Sequence, residues 1–239
     1  METGLDSLNN DSLLKSNISS SLFSKQNAII GRTVTWTVSS IILIYLITLI
    51  LGFISLKSPD EPIGNPYFSI LELLIIILAP FMVISLIFVH KSTPEKLKIY
   101  SLTSLIFMSI MTCITCCLHF LILALSHQEA FLNQDWSFLV FSFKWPSVAY
   151  AVDILAWDFF FALSMLFLAA TFRKKGLETL IQVFLIISGV LSFIGLLGIP
   201  LNNMQVRNIG IIGYTIFAII VFFLFGIAFN RRAQKQVDS

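Results

Sequence analysis

Among the Asp, Glu and His side chains of this sequence, four lie more than one turn inside long apolar runs: Glu72, His119, Asp153 and Asp158. A charged side chain at the centre of a bilayer costs about 3 kcal/mol or more, so such residues are rare and usually have a partner or a function. Imidazole changes charge near neutral pH, and a carboxylate in apolar surroundings can bind a proton or a cation. The four residues are therefore predicted to bind a ligand or protons.

The depth of each residue in the membrane follows from the helical rise of about 1.5 Å per residue. Measured from the outer end of its predicted span, Glu72 lies about 6 Å deep, His119 about 9 Å and Asp153 about 10 Å. Asp158 lies about 18 Å deep, near the midplane. Three residues on three different helices thus share one layer. This predicts a polar pocket in the outer leaflet, with Asp158 as a deeper relay for protons or cations.

A polar seam runs along the third apolar run. At about 100° per residue, Ser109, Thr112 and Cys116 fall within about 80° of His119 on one helical face. Hydroxyl and thiol groups on the face of a pocket-lining histidine are predicted to continue the pocket. Helix packing is the alternative role for such small polar residues.

The fourth apolar run carries polar residues on two faces. Tyr150, Asp153 and Trp157 share one face of a helix, so the two aromatic side chains are predicted to shape the pocket. Asp158 lies about 140° away from Asp153 on an α-helix. A helix marked on two faces is predicted to be surrounded by protein rather than by lipid.

The same ionisable residues also have a structural interpretation. Buried carboxylates need hydrogen-bond partners in any case. Glu72 lies near a helix start, where the macrodipole favours an acid, and His119 can bond to Asp153. Arg207 is predicted to lie in a solvated loop, from which it could still reach a carboxylate of the outer leaflet.

Enzymatic chemistry has little support in the sequence. A zinc hydrolase needs about three protein ligands, whereas His90 and His127 lie at or beyond the ends of apolar runs and only His119 lies within one. Cys113 and Cys116 form a CxxC, but near mid-membrane and without a second pair. No nucleophile elbow, phosphate-binding loop or dinucleotide fingerprint is present. Neither a metal nor a cofactor is predicted.

The composition indicates a membrane protein. Of 239 residues, 57% are hydrophobic and 12% charged, and the mean hydropathy is +0.91, whereas a soluble domain has about a quarter charged residues. Some runs are long enough to cross a hydrocarbon core of about 30 Å. They are residues 34–56, 68–89, 99–125, 146–172, 177–199 and 209–229. The predicted fold is all-α, a polytopic membrane protein with six transmembrane helices in one bundle.

The distribution of Lys and Arg predicts the orientation. Twelve of these residues lie in the N-terminal tail, the second and fourth loops and the C-terminal tail, and three lie in the remaining loops. Cytoplasmic segments carry the excess of positive charge, so both termini are predicted to be cytoplasmic. Residues 1–32 are predicted to be a disordered tail, 33–230 the membrane domain and 231–239 a short basic tail. The net charge of +2 argues against a nucleic-acid partner.

The sequence from GNPYFSILELLIIILAPFMV through WPSVAYAVDILAWDFFFALSMLF to RNIGIIGY resembles an uncharacterised group of bacterial six-span membrane proteins. The likeness covers most of the chain except the N-terminal tail. It implies a location in the bacterial inner membrane. It implies nothing about mechanism, because no activity, substrate or site is assigned to that group.

Three classes of function follow. The first is a protein that binds or transports a small cationic or protonatable ligand through an outer-leaflet pocket. Transport coupled to proton movement is one version of this function. The second is a structural or accessory membrane protein in which the same residues only hold the helices together. The third is a membrane-embedded enzyme. The lipid bilayer is the predicted partner, and a protein partner or a second copy of the chain stays open.

Overall fold

Six helices in the computed structural model are long and apolar enough to cross a membrane. The structure describes residues 24–58, 61, 63–126, 128–172 and 176–235. The helices are α1 (Lys25–Ile54), α2 (Tyr67–Ser92), α3 (Glu95–Leu125), α4 (Val148–Ala169), α5 (Leu177–Leu196) and α6 (Met204–Lys235). The predicted all-α fold with six spanning helices is confirmed. His127 lies outside the described residues.

The first helix is longer than predicted. α1 begins at Lys25 instead of near residue 34, because the side chain of Ser24 accepts a hydrogen bond from the backbone N–H of Asn27 and caps the helix. Residues 25–32, assigned above to the tail, are therefore helical. The rest of that tail, 1–23, lies outside the described residues.

The last helix is also longer at both ends. α6 begins at Met204 instead of near residue 209, because the side chain of Asn203 accepts hydrogen bonds from the first backbone N–H groups of the helix. It continues to Lys235, which the sequence places in a basic tail. Arg207 consequently lies in the first turn of a helix, and its assignment to a solvated loop is wrong.

Neighbouring helices along the chain pack side by side, and α6 packs against α1, so the six helices form a closed ring. Large buried side chains fill part of the ring, among them Met82, Met108, Phe161 and Phe222. The outer surface is aliphatic and exposed, as at Leu43, Ile47 and Ile54. An exposed apolar surface of this kind suits lipid rather than water, and the chain is a multi-pass membrane protein.

Two helices contain a segment of π-helix. The segment Leu155–Phe161 interrupts α4, and Gly213–Phe217 interrupts α6. In a π-helix each backbone N–H bonds to the carbonyl five residues earlier, so a turn holds more residues than in an α-helix. Side chains five residues apart therefore point in more similar directions. The α4 segment contains Asp158, so this change decides where that carboxylate points.

Candidate functional site

Glu72, His119 and Asp153 meet at the inner side of the helix ring. His119 Nδ1 on α3 lies 2.8 Å from Glu72 Oε2 on α2. His119 Nε2 lies 3.5 Å from Asp153 Oδ1 on α4. The Glu72 and His119 side chains are 4% and 7% exposed, and that of Asp153 is 13% exposed. Three helices thus place these residues in one layer, in agreement with the depths worked out from the sequence.

Arg207 on α6 extends this row of charges to Asp158. Its Nη2 donates to Asp153 Oδ2 at 3.5 Å, and its Nε lies 3.6 Å from Asp158 Oδ2. Acids and bases therefore alternate along one path across the ring. We refer to this row as the charge chain; its members are Glu72, His119, Asp153, Arg207 and Asp158.

Both aspartates of α4 reach the same guanidinium group, and their predicted placement on two different faces is wrong. On a regular α-helix, a separation of five residues corresponds to about 140°. The π-helical segment Leu155–Phe161 turns Asp158 back towards the side of Asp153, because residues five apart nearly align there. Asp158 is fully buried, but Val148 and Leu155 of α4 are 57% and 44% exposed, so the expectation that protein surrounds this helix holds only for the face of Asp158.

Two glycines form a slot for the Asp158 carboxylate. A Cβ atom at Gly195 of α5 would lie 2.7 Å from Asp158 Oδ1, and a Cβ at Gly210 of α6 would overlap that oxygen. Only glycine leaves room for the carboxylate where α5 and α6 approach each other. Neither carboxylate oxygen of Asp158 accepts a hydrogen bond from the described residues. The slot and the charge of Arg207 therefore hold Asp158 in place.

Arg207 is buried among aromatic rings. Its side chain is 3% exposed, and its Cζ lies 4.7 Å from the ring centroid of Tyr150 and 6.0 Å from that of Tyr214. Aromatic faces attract a guanidinium at these distances. The sequence analysis allowed Arg207 to reach a carboxylate, as it does at Asp153, but it missed the burial of Arg207 and the role of Tyr214. The signal was Asn203, a favourable N-cap residue that starts the helix early and puts Arg207 and Tyr214, two turns apart, on one face.

A cavity of about 1180 Å³ lies beside the charge chain inside the ring. Glu72, His119 and Asp153 line it, whereas Asp158 and Arg207 lie behind its wall. Much of the remaining wall is apolar or aromatic and comes from α1, α2, α4, α6 and the α3–α4 connection. It includes Ile42, Tyr45, Leu49, Phe53, Phe68, Phe138, Phe141, Tyr150, Trp157 and Tyr214. The volume exceeds the range of about 300–1,000 Å³ found for small-molecule pockets, so a ligand of that class has room.

The two ring nitrogens of His119 face two different carboxylates. When Glu72 is ionised it can only accept a hydrogen bond, so Nδ1 of His119 carries the proton. Nε2 is buried and has no hydrogen-bond partner among the described residues, since Asp153 Oδ1 is 3.5 Å away. The ring of Phe143 stacks on the imidazole with centroids 5.2 Å apart. The hydrogen bond to Glu72 and the stacked ring of Phe143 thus fix the imidazole. Its Nε2 is directed towards Asp153 at the cavity wall.

The predicted seam does not line the cavity. Ser109 is exposed and bonds to Leu105 O of its own helix, whereas Thr112 Oγ1 and Cys116 Sγ contact backbone carbonyls of α2 at 3.1 and 3.7 Å. The buried face of α3 is centred near Thr115, and His119 lies at its edge. The seam extends from His119 away from that face, so it packs α3 against α2 and then meets lipid.

Comparison with protein-family models, with curated proteins and with solved structures gives no match for this chain. Within the described residues, no group of three or more His, Cys, Asp or Glu side chains is arranged to hold a metal ion. The chemistry of the site therefore has to be worked out from the charge chain and the cavity themselves.

Proposed function

We propose that this protein binds a small organic cation in the cavity, as a binding or transport protein, and exchanges it for a proton. The observation that supports this is the odd number of charges beside the cavity. The charge chain contains three acids and two bases, and three of its five members line the cavity wall.

The charge count favours a cationic ligand. When all three acids are ionised and both bases carry a proton, the chain has one negative charge in excess. An uncompensated buried charge is costly, so apolar surroundings favour a neutral total. A proton on one acid or a cation at the cavity wall would supply the missing charge. Proton and ligand would then compete for the same carboxylates.

The aromatic wall favours an organic cation over a small metal ion. Tyr45, Tyr150, Trp157 and Tyr214 line the cavity, and aromatic faces attract cations within about 6 Å of the ring centroid. The apolar wall would contact hydrocarbon groups of the ligand. In this proposal Glu72, His119 and Asp153 contact the ligand, and Tyr150 and Trp157 shape the space around it.

The structural interpretation applies to the other half of the charge chain. Asp158 and Arg207 are buried behind the wall and join α4 to α6. We therefore assign them a positioning role: Arg207 holds Asp153 from behind. The deeper relay role predicted for Asp158 is not needed for binding, because the cavity wall does not include this residue.

Tetraphenylphosphonium is a suitable probe, because its charge is permanent and changes of pH act only on the protein. We expect saturable binding to the purified protein in lipid nanodiscs, measured by titration calorimetry against empty nanodiscs. Asp153→Asn should weaken binding at least tenfold, because a charged contact with a buried carboxylate is lost. Asp153→Leu should also unfold more easily, since Arg207 and His119 lose an acceptor.

Glu95→Gln is the matched control. It removes a carboxylate from α3 at the opposite end, where Glu95 is exposed and pairs with Lys98 at 2.6 Å. Its affinity for the probe should equal that of the parent protein. If Asp153→Asn bound the probe as tightly as Glu95→Gln does, the buried acids would be purely structural and the proposal would be wrong.

A further inference from the structure

The two ends of the cavity carry opposite charges. We call the end lined by Glu72, His119 and Asp153 the floor, and the end lined by the helix connections the mouth. Lys57 of the α1–α2 connection and Lys144 of the α3–α4 connection line the cavity together with Glu61. Neither lysine forms an ion pair within the described part of the chain, and both are exposed. Glu61 Oε2 accepts a hydrogen bond from the backbone N–H of Lys57 at 3.3 Å. Among the described residues that line the mouth, two lysines thus face one acid.

The distance between mouth and floor follows from helix geometry. Glu72 lies five residues inside α2 and Asp153 five residues inside α4, about 8 Å below the helix starts. Lys57 and Lys144 lie beyond these helix ends, in the connections. The positive mouth and the acidic floor are thus separated by roughly 10–15 Å.

The wall between the two charged ends is apolar. Leu49 and Phe53 of α1 face this space, as do Phe68 of α2 and Phe138 and Phe141 of the α3–α4 connection. A ligand that fits this wall has a hydrocarbon or aromatic middle section. The order along the cavity is therefore acidic floor, apolar wall and basic mouth.

We infer that the ligand is a bipolar amphiphile, with an ammonium-type group at the floor, an apolar middle of about 10 Å or more, and a carboxylate or phosphate at the mouth. The inference rests on the proposed function, since the floor must bind a cation. It adds the anionic group and the length. The carboxylates of Glu72 and Asp153 supply the polar contacts for the ammonium end.

The test compares 12-aminododecanoic acid with its methyl ester, which has the same ammonium group and length but no anionic end. Binding is measured by titration calorimetry to the full-length protein in nanodiscs. We expect the acid to bind about three- to fivefold more tightly than the ester, which is the upper part of the range of a solvent-exposed ion pair, because two lysines are present. In the double variant Lys57→Gln with Lys144→Gln, the acid should lose this advantage while the ester binds as before.

Chain length provides a test that needs no variant. An extended alkyl chain gains about 1.3 Å per carbon, from C–C bonds of about 1.5 Å. A six-carbon amino acid therefore spans about 8 Å, less than the roughly 10–15 Å between floor and mouth. It should bind no better than its own methyl ester, in contrast to the twelve-carbon pair.

The outcomes separate the inference from the proposed function. Equal affinities of the twelve-carbon acid and ester for the parent protein would overturn the bipolar ligand while leaving cation binding intact. The same holds if the acid keeps its advantage in the double lysine variant. Failure of the ester to bind, or binding that Asp153→Asn leaves unchanged, would overturn the proposed function itself.

Discussion

Replacement of Gly210 by alanine tests the slot that holds Asp158. The added Cβ would overlap Asp158 Oδ1, lie 3.1 Å from Cγ and lie 3.2 Å from Cα of Gly195. An ordinary contact distance is about 3.5 Å or more, so the carboxylate has to move by about 1 Å or more. Backbone of α5 blocks one direction, and Arg207 Nε is already 3.6 Å from Asp158 Oδ2. The movement would weaken or break this buried pair.

The expected loss of stability combines two contributions. Overpacking a buried site costs about 1–3 kcal/mol, and separating a buried ion pair costs about 3–5 kcal/mol when one charge is left alone. Arg207 keeps Asp153 as a partner, so the second contribution applies only in part, and we expect a total near 3 kcal/mol, below the sum of the two full contributions. Unfolding in mixed detergent with increasing dodecyl sulfate, followed by tryptophan fluorescence, measures the free energy of unfolding.

Gly64→Ala is the control for Gly210→Ala. A Cβ at Gly64 meets no atom within 4 Å, so its effect should stay within about 0.5 kcal/mol. In an Asp158→Ala background the overlapping oxygen is absent, and Gly210→Ala should cost much less than it does alone. A loss below about 0.5 kcal/mol for Gly210→Ala in the parent protein would refute the reasoning about the slot.

Three further predictions follow from the charge chain and the cavity. Arg207→Met leaves two buried acids without their cation and should destabilise the protein by about 3–5 kcal/mol in the same unfolding assay. Arg207→Lys should recover part of this loss. An unchanged stability of Arg207→Met would contradict the charge chain. As the sole cysteine, Cys116 should resist a water-soluble maleimide in the folded protein. Thr215→Cys in a cysteine-free background should react, since Thr215 lines the cavity and Cys116 does not. Faster labelling of Cys116 than of the cysteine at position 215 would contradict the position of the cavity. Tetraphenylphosphonium affinity should fall as pH is lowered, by at most about tenfold per pH unit if one proton is exchanged, because every proton added to the chain opposes the cation; a constant affinity from acidic to neutral pH would exclude exchange.

The fold was predictable from hydropathy because a spanning helix must present an apolar surface to lipid along its length. Boundaries were less predictable, since polar residues can continue a helix beyond its apolar part. α6 shows this: Asn203 starts the helix at Met204, five residues before the predicted apolar run, and Arg207 in this first turn enters the protein interior. A hydropathy criterion excludes that first turn by construction.

The layer of Glu72, His119 and Asp153 was predictable from depth alone, because helical rise is nearly constant. Side-chain direction was not. Asp158 points towards Arg207 because of a π-helical segment, which the regular 100° per residue of an α-helix does not predict. The seam of Ser109, Thr112 and Cys116 shows the second limit. Periodicity tells which residues share a face, but not which neighbour that face meets.

The most direct test of cation binding in this cavity uses tetraphenylarsonium, whose arsenic atom scatters anomalously. Crystals of the protein grown with this ion should show an arsenic peak inside the cavity, beside the Asp153 carboxylate and within about 6 Å of the Trp157 or Tyr214 ring centroid. The peak should disappear in Asp153→Asn and persist in Glu95→Gln. No peak in the cavity, or the same peak in Asp153→Asn, would contradict the assignment of these buried acids to ligand binding.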